Sequence, residues 1–420
     1  MGTIQVIHQK TQVKKDKHFK DQKMKKRKVL LAFSGGLDTS YCVKYLMNEK
    51  QLEVHTAVVN TGGFSERELN EIELKAFDLG SSSHAALDET NAFYQEIVRF
   101  LIYGNVLKNN TYPLSVSAER IHQACALVKY AKEIGATSIA HGSTGAGNDQ
   151  IRFDLVFQLL APELEIITPI RDQELSRKDE IEYLNTNGVD VSWEKAKYSI
   201  NKGLWGTSIG GAETLTSHQI LAESAYPDAL EKTEPQSVEL DFEKGEIVGV
   251  DSQKMDSVKA IQTLDAMASK YAIGRDIHVG DTIIGIKGRV GFAAAAPAII
   301  IKAHHTLEKH TLSKWQLHWK EQLGSWYGMF IHEAQYFEPV MRNIEAFLED
   351  SQKYVSGKVF IELHPYRFVV KGTESKHDLM SPDFGDYGEA NKRWSGEDAK
   401  GFTKLLANPM QLFNHVNKIV

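Results

Sequence analysis

From residue 29 the chain alternates short apolar-rich runs with longer stretches whose apolar residues recur at helical spacing. Val29 to Phe33, Val54 to Val59, His84 to Leu87, Ser138 to Ala140 and Ile166 to Thr168 read as strands of a parallel sheet covered on both faces. Between them, Leu69, Ile72, Ala76 and Leu79 share one helix face, and Ala118, Ile121, Cys125, Val128 and Ala131 share another. Both stripes are ordinary core. Ser176 with Asp179 predicts a helix start, and Asn187-Gly188 predicts its stop. The expected architecture is α/β: a doubly wound parallel-sheet domain over residues 28–193.

The pattern then changes. Gly203 to Gly211 is glycine-dense and reads as too irregular for core. Beyond it, alternation at Val238 to Val250 and Val359 to Val370 predicts hairpins, and Val258 to Tyr271 and Val340 to Leu348 predict amphipathic helices. This gives an α+β domain over 194–390. A helical tail follows over 391–420, with Phe402, Leu405, Leu406, Met410, Phe413, Val416 and Ile419 at helical spacing around Pro409. Such a stripe is expected to dock on its own body or on a neighbouring subunit.

Composition narrows the class. The chain has 420 residues, 42% apolar and 25% charged, enough for two or three domains. Its longest near-apolar run, Gly291 to Ile301, is about half of what a bilayer-spanning helix needs and contains Pro297. Cys42 and Cys125 fall at apolar helix positions, as buried free thiols in a reducing, cytoplasmic setting would. The first 28 residues hold ten Lys and Arg against two Asp, so residues 1–27 are expected to be a disordered basic extension. Taking ten from 49 basic and two from 55 acidic residues leaves 39 against 53, a net charge of −14 for the remainder. An acidic body argues against a nucleic-acid partner.

The candidate chemistry starts at Val29-Leu30-Leu31-Ala32-Phe33-Ser34-Gly35-Gly36-Leu37-Asp38-Thr39-Ser40, a strand running through a Ser/Gly turn into a helix. Glycines let backbone approach an anion, and the amides and dipole of a helix start attract one. The lysine of the usual phosphate loop is absent, which argues against γ-phosphoryl transfer. Asp38 either holds magnesium or caps the helix. A second constellation, His141-Gly142-Ser143-Thr144-Gly145-Ala146-Gly147-Asn148-Asp149-Gln150-Ile151-Arg152-Phe153, follows the fourth strand. Loops at the carboxyl ends of parallel strands line the ligand crevice, so it is expected beside the Ser34 turn.

The Ser-Gly-Gly-x-Asp-Thr wording resembles the pyrophosphate loop of the N-type ATP pyrophosphatases. Paired with the second string, it is similar to the argininosuccinate synthase family over most of residues 29–420. The resemblance implies ATP-driven ligation of citrulline with aspartate through a citrullyl-AMP intermediate, releasing AMP and pyrophosphate. It also implies Mg²⁺ entering with ATP rather than held by a side-chain cluster, and a homotetramer embraced by the C-terminal segment. By position, Ala32 to Ser40 and Val59 would contact ATP, and His141, Gly142, Ser143, Gly145 and Gly147 would close over it. Thr144, Asn148 and Asp149 would bind aspartate; Asn148 and Arg152 with Tyr112, Ser117, Ser199 and Ser208 would bind citrulline. Asp38 and Asp149 are the candidate catalytic carboxylates.

Departures cluster on the citrulline side. The family's S-x-D-x-N-L-x-x-x-S-x-E segment is here Ser199 to Gly210, with Asn201 for the first acid and Gly210 for the last. The citrulline-binding glutamate falls on Gly280, a family tyrosine falls near Phe292, and Ala146 stands where relatives often carry lysine. Carboxylates vanish while Lys202 and glycines appear. Either the substrate is an N-acylated citrulline, with glycines making room and Lys202 meeting an added carboxylate, or Asp281 replaces the lost acid and citrulline binds. Rival readings are another pyrophosphate-loop adenylating enzyme and a non-catalytic nucleotide binder.

Overall fold

A computed structural model describes residues 26–189, 198–380 and 393–419. The expected extension at 1–27 lies almost wholly outside the described residues, as do the expected domain joints near 193 and 390.

The first unit runs β1 (Lys28–Ala32), α1 (Leu37–Asn48), β2 (Glu53–Asn60), α2 (Glu66–Asp78), β3 (Ser83–Asp88), α3 (Glu119–Glu133), β4 (Ser138–Ala140), α4 (Asp149–Leu160), β5 (Glu165–Ile167) and α5 (Arg177–Thr186). Its strands pair in the order β3-β2-β1-β4-β5, all parallel. Alternate residues of β1 enter different cores. Val29 and Leu31 pack with Val43, Leu46 and Val54, whereas Leu30 joins Ala57, Ile121, Leu127 and Val156 on the other face. Each such buried side chain contributes roughly 1.5–3 kcal/mol, which is why the strand is apolar without interruption. The expected start of α5 is a capping box between Ser176 and Asp179, and the helix gives way at Asn187 to Gly188 at φ +74.

The second unit opens with β6 (Ser199–Gly203) and β7 (Gly206–Gly210). This corrects the reading of Gly203 to Gly211 as irregular: the segment is largely the turn and second strand of an antiparallel hairpin. Trp205 at its tip is fully buried, its indole N–H bonded to the Pro113 carbonyl at 3.0 Å. The glycines answer crowding. A Cβ on Gly203 would fall 1.4 Å from Glu119 Oε1, and Gly206 turns at φ +114 with its Cβ position 2.8 Å from that of Ala294. Both neighbours are distant in sequence, so a local reading misses them.

There follow β8 (Gln236–Glu243), β9 (Glu246–Val250), β10 (Gln253–Lys254), α6 (Ser257–Ala268), β11 (Arg275–Asp281), β12 (Lys287–Ala293), α7 (Ala295–Thr311), α8 (Lys314–His332), α9 (Pro339–Ser351), β13 (Gly357–His364), β14 (Arg367–Glu374) and α10 (Gly396–Asn417). They make two antiparallel sheets, β10-β9-β8-β13-β14 and β11-β12-β7-β6. The expected hairpins and amphipathic helices are all present. One apolar core runs through both units, joining Leu127 and Ile139 to Val238, Leu264, Ile299 and Val359. Cys42 is buried and Cys125 partly so, and both are free thiols. In α10 no residue is buried: Phe402, Leu405, Leu406, Met410, Phe413 and Val416 are all exposed. Among the described residues no helix is long and apolar enough to cross a membrane.

Candidate active site

The strand order reverses between β1 and β4, and an open parallel sheet receives its ligand at the carboxyl ends of such a pair. At β1 the chain leaves through Ser34 and Gly35, the latter at φ +75, and α1 begins with Gly36 as its N-cap. No side chain caps this end. The first-turn amides and the positive end of the helix dipole are therefore available to an anion. Ser34 and Gly36 are exposed, while Phe33, Leu37 and Ser40 are buried and anchor the turn. Ser40 Oγ and Thr39 Oγ1 donate back to the Gly36 carbonyl at 2.7 and 3.3 Å, and Lys75 Nζ on α2 donates to the Gly35 carbonyl at 2.6 Å. Ala32 is half-buried, and Val59 is buried within β2.

Asp38 lies in the first turn of α1 and is not its cap, so of its two readings capping falls away. Its neighbour is Glu180 on α5. Burial first, and then the Asp38 charge, push the Glu180 carboxyl up to about 8, and among the described residues Glu180 Oε2 has no hydrogen-bond partner. Two adjacent carboxyls suit a hard divalent cation once phosphate oxygens complete the shell. Among the described residues no group of three or more His, Cys, Asp and Glu is set to hold a metal unaided.

The loop after β4 lies directly against this helix start: a Cβ on Gly142 would stand 3.3–3.4 Å from Asp38 and Thr39 atoms. Its exposed part is Thr144 to Gly147, with Ser143 half-buried. His141 does not face the opening. It is 1% exposed, its ring against Phe153 and Phe157. Its Nδ1 accepts from the Ser143 amide at 3.2 Å, leaving Nε2 to donate to Asp154 at 2.9 Å. Asp154 also pairs with Arg171 at 2.6 Å, and Gln150 donates to the Gly145 carbonyl. His141 therefore holds the loop from beneath.

The other predicted residues converge on one face of the β11-β12-β7-β6 sheet. Ser199 pairs with Gly210, Asn201 with Ser208, Ser208 with Phe292, and Gly280 with Gly288. Side chains alternate along strands, so Ser199, Asn201, Ser208, Gly210, His278, Gly280 and Phe292 share that face. Tyr112 stacks on His278 at 5.1 Å and meets Phe292 at 5.3 Å. Asn148 accepts from the Ile283 amide at 2.9 Å, joining the loop after β4 to the β11–β12 turn.

Asp149 is gripped on both oxygens, by Arg120 Nε at 2.9 Å and Arg152 Nη1 at 3.0 Å. Burial would raise its carboxyl, but Arg120 and then Arg152 outweigh that and hold it at about 2. Arg152, expected among the citrulline contacts, directs Nε and Nη2 at the His332 carbonyl. Arg120 also donates to Asn201 at 3.1 Å. Ser117 is buried, and its hydroxyl has no hydrogen-bond partner among the described residues.

Two further expectations are corrected. Lys202 pairs with Thr207, which pairs with Ala293, a row on the opposite face of the sheet, so it is not placed to meet a group lying over Ser208. Asp281 likewise points away from the Gly280 face and is paired with Lys287 at 2.7 Å in the open. Sequence reading missed Glu119, Arg120, His278 and His332. Arg120 carried no local signal, because its partners Asp149 and Asn201 reach it only through folding.

A family model described as Arginosuccinate synthase N-terminal HUP domain matches residues 28–190, and one described as Arginosuccinate synthase C-terminal domain matches 198–413. Among curated relatives, the argininosuccinate synthase of Dictyoglomus thermophilum is 39% identical over 386 residues, 91% of this chain and 96% of its own. That of Methanocaldococcus jannaschii is 35% identical over 366 residues, 86% and 92%. That of Xanthomonas campestris pv. campestris is 34% identical over 403 residues, 94% and 100%.

Proposed function

The chain belongs to the argininosuccinate synthase family, and from that premise we propose that it is a ligase of arginine biosynthesis joining a citrulline-type ureido substrate to aspartate at the expense of ATP. The observation that carries this reading is the uncapped α1 start at Gly36, with the Gly142 loop laid against it. In the proposed reaction the ureido oxygen attacks the α-phosphorus and the bond to the β-phosphate oxygen breaks. Pyrophosphate leaves into the α1 amides, which are fixed before any charge develops. The aspartate amine then attacks the activated ureido carbon, loses a proton and displaces AMP. Thr144, Asn148 and Asp149 border the place for aspartate. Asp149, saturated by two guanidinium groups, acts by holding Arg120 and Arg152 in position rather than by taking a proton. Magnesium would neutralise phosphate charge when bound, with Asp38 and Glu180 as its protein carboxyls.

We further propose a cytoplasmic homotetramer in which α10 covers its exposed apolar face on another subunit. Deleting residues 394–420 is expected to lower the mass in solution; an unchanged tetramer would reject that role. The test of the reaction is release of pyrophosphate that requires both aspartate and a ureido substrate. Release that ignores aspartate would overturn the ligation.

A further inference from the structure

The floor under Ser199 and Ser208 holds little negative charge and much space. Gly210 has an ordinary backbone, and nothing among the described residues stands within 4 Å of where its Cβ would be. At Gly280 the corresponding position is 2.6 Å from His278 Nε2, so the ring stacked on Tyr112 occupies the volume a longer side chain there would need. Around this floor stand Arg120 and Arg152, whose shared carboxylate is Asp149, and Lys108, whose charge reaches both His278 and His332. Two arginines against the single carboxylate of Asp149 leave an excess of positive charge, and Lys108 adds a cation whose charge also reaches Asp281. Burial and these cations also push His332 down to about 3 and lower His278, which disfavours charge on both rings, and among the described residues neither Nδ1 has a hydrogen-bond partner.

An ammonium placed here would need a carboxylate; Asp276 shares the face only at its exposed edge beside Phe292, and the other nearby carboxylates are committed elsewhere. Asp281 is on the far face, paired with Lys287. Glu213 accepts from the Tyr198 hydroxyl at 2.8 Å. Glu119 does face the floor, above Gly203, but burial raises it to about 8 and keeps it uncharged at neutral pH, with Oε1 unpartnered. A buried ammonium without a counter-charge is costly, whereas a carboxylate and an amide find donors here in Arg120, the Ser117 hydroxyl and a protonated Glu119.

We propose that the ureido substrate is an anion whose α-amine is blocked by an acyl group, an N-acylated citrulline, with the acyl group lying over Gly210. This rests on the ligation reading above and specifies its substrate; the acyl amide passes unchanged into the product.

The test measures pyrophosphate release with ATP, aspartate and either citrulline, N-acetylcitrulline or N-succinylcitrulline. An acylated form is expected to exceed citrulline in kcat/KM by at least a hundredfold. Efficient use of citrulline with rejection of both acylated forms would overturn the proposal while leaving the ligation intact. Silence with all three would defeat the ligation itself, and the proposal with it. Gly210→Glu, which the open space accommodates, supplies a carboxylate at the floor. It is expected to shift the kcat/KM ratio at least tenfold toward citrulline, and an unchanged ratio would overturn the placement of the acyl group.

Discussion

The two sides of the crevice are built from different materials. The side proposed for the nucleotide is backbone: a Ser/Gly turn, an uncapped helix start and a loop laid across it, with side chains such as Ser40, Lys75 and His141 bracing from behind. The side proposed for the amino acids is side chain. Arg120, Asp149, Arg152, Asn201 and His278 come from four separate elements and meet through ion pairs, hydrogen bonds and the register of a sheet. A backbone cradle recognises any phosphate and tolerates little variation in its turn. A side-chain floor can change its charge one residue at a time, so substrate choice can drift there while phosphate handling stays put.

The contrast can be broken by substitution, and the largest effect is expected on the backbone side. Gly36→Phe should lower pyrophosphate release about a thousandfold by blocking the amides. The unfolding midpoint should hardly move, because Gly36 has ordinary dihedrals and Ser34 Oγ, at 3.5 Å, as the neighbour of its Cβ position. Near-normal release would place the phosphates elsewhere.

Arg120→Met should cost about 3 kcal/mol in urea unfolding, since Asp149 would keep a single guanidinium. It should also lower kcat/KM for the ureido substrate about a hundredfold, through misplacement of Arg152 and Asn201. The KM for ATP should stay within about twofold; an equal rise there would show that the two sides are not separable. Asp154→Asn acts in the opposite sense, loosening His141 and Arg171 under the loop, with an expected rise of about tenfold in the KM for ATP and little change in that for aspartate.

The smallest effect is one of pH. Burial raises the Glu119 carboxyl from its ordinary 4.5 to about 8, so the folded state favours the protonated acid. That contribution is complete below about pH 4.5 and is lost as pH rises toward 8, at up to about 1.4 kcal/mol per unit. Glu119→Gln should flatten this slope, read as unfolding free energy at about pH 5 against about pH 9. An unchanged slope would mean that Glu119 is charged in the folded protein.

Much of this was legible before folding was considered. The apolar runs of the five strands, the α5 capping box and the Ser34 to Ser40 turn are each written within a few residues, and so they mark the chain locally, although the strands then pair across long separations such as Val29 with Ser138. The glycine-dense segment was misread because its glycines respond to Glu119 and Ala294, which are remote in sequence. Lys202 and Asp281 were assigned to the floor because neighbours in sequence look like neighbours in space, whereas adjacent strand residues point to opposite faces.

The order of residues was enough to establish a strand, a Ser/Gly turn and a helix, and the class of sheet that carries them, because turn chemistry and apolar periodicity are short-range. Which charges line the proposed substrate floor was decided by strand register and by the meeting of α3, α4 and the β6–β7 hairpin. Electrostatics depends on distance through space, and a one-residue step along a strand turns a side chain from the site to the opposite face.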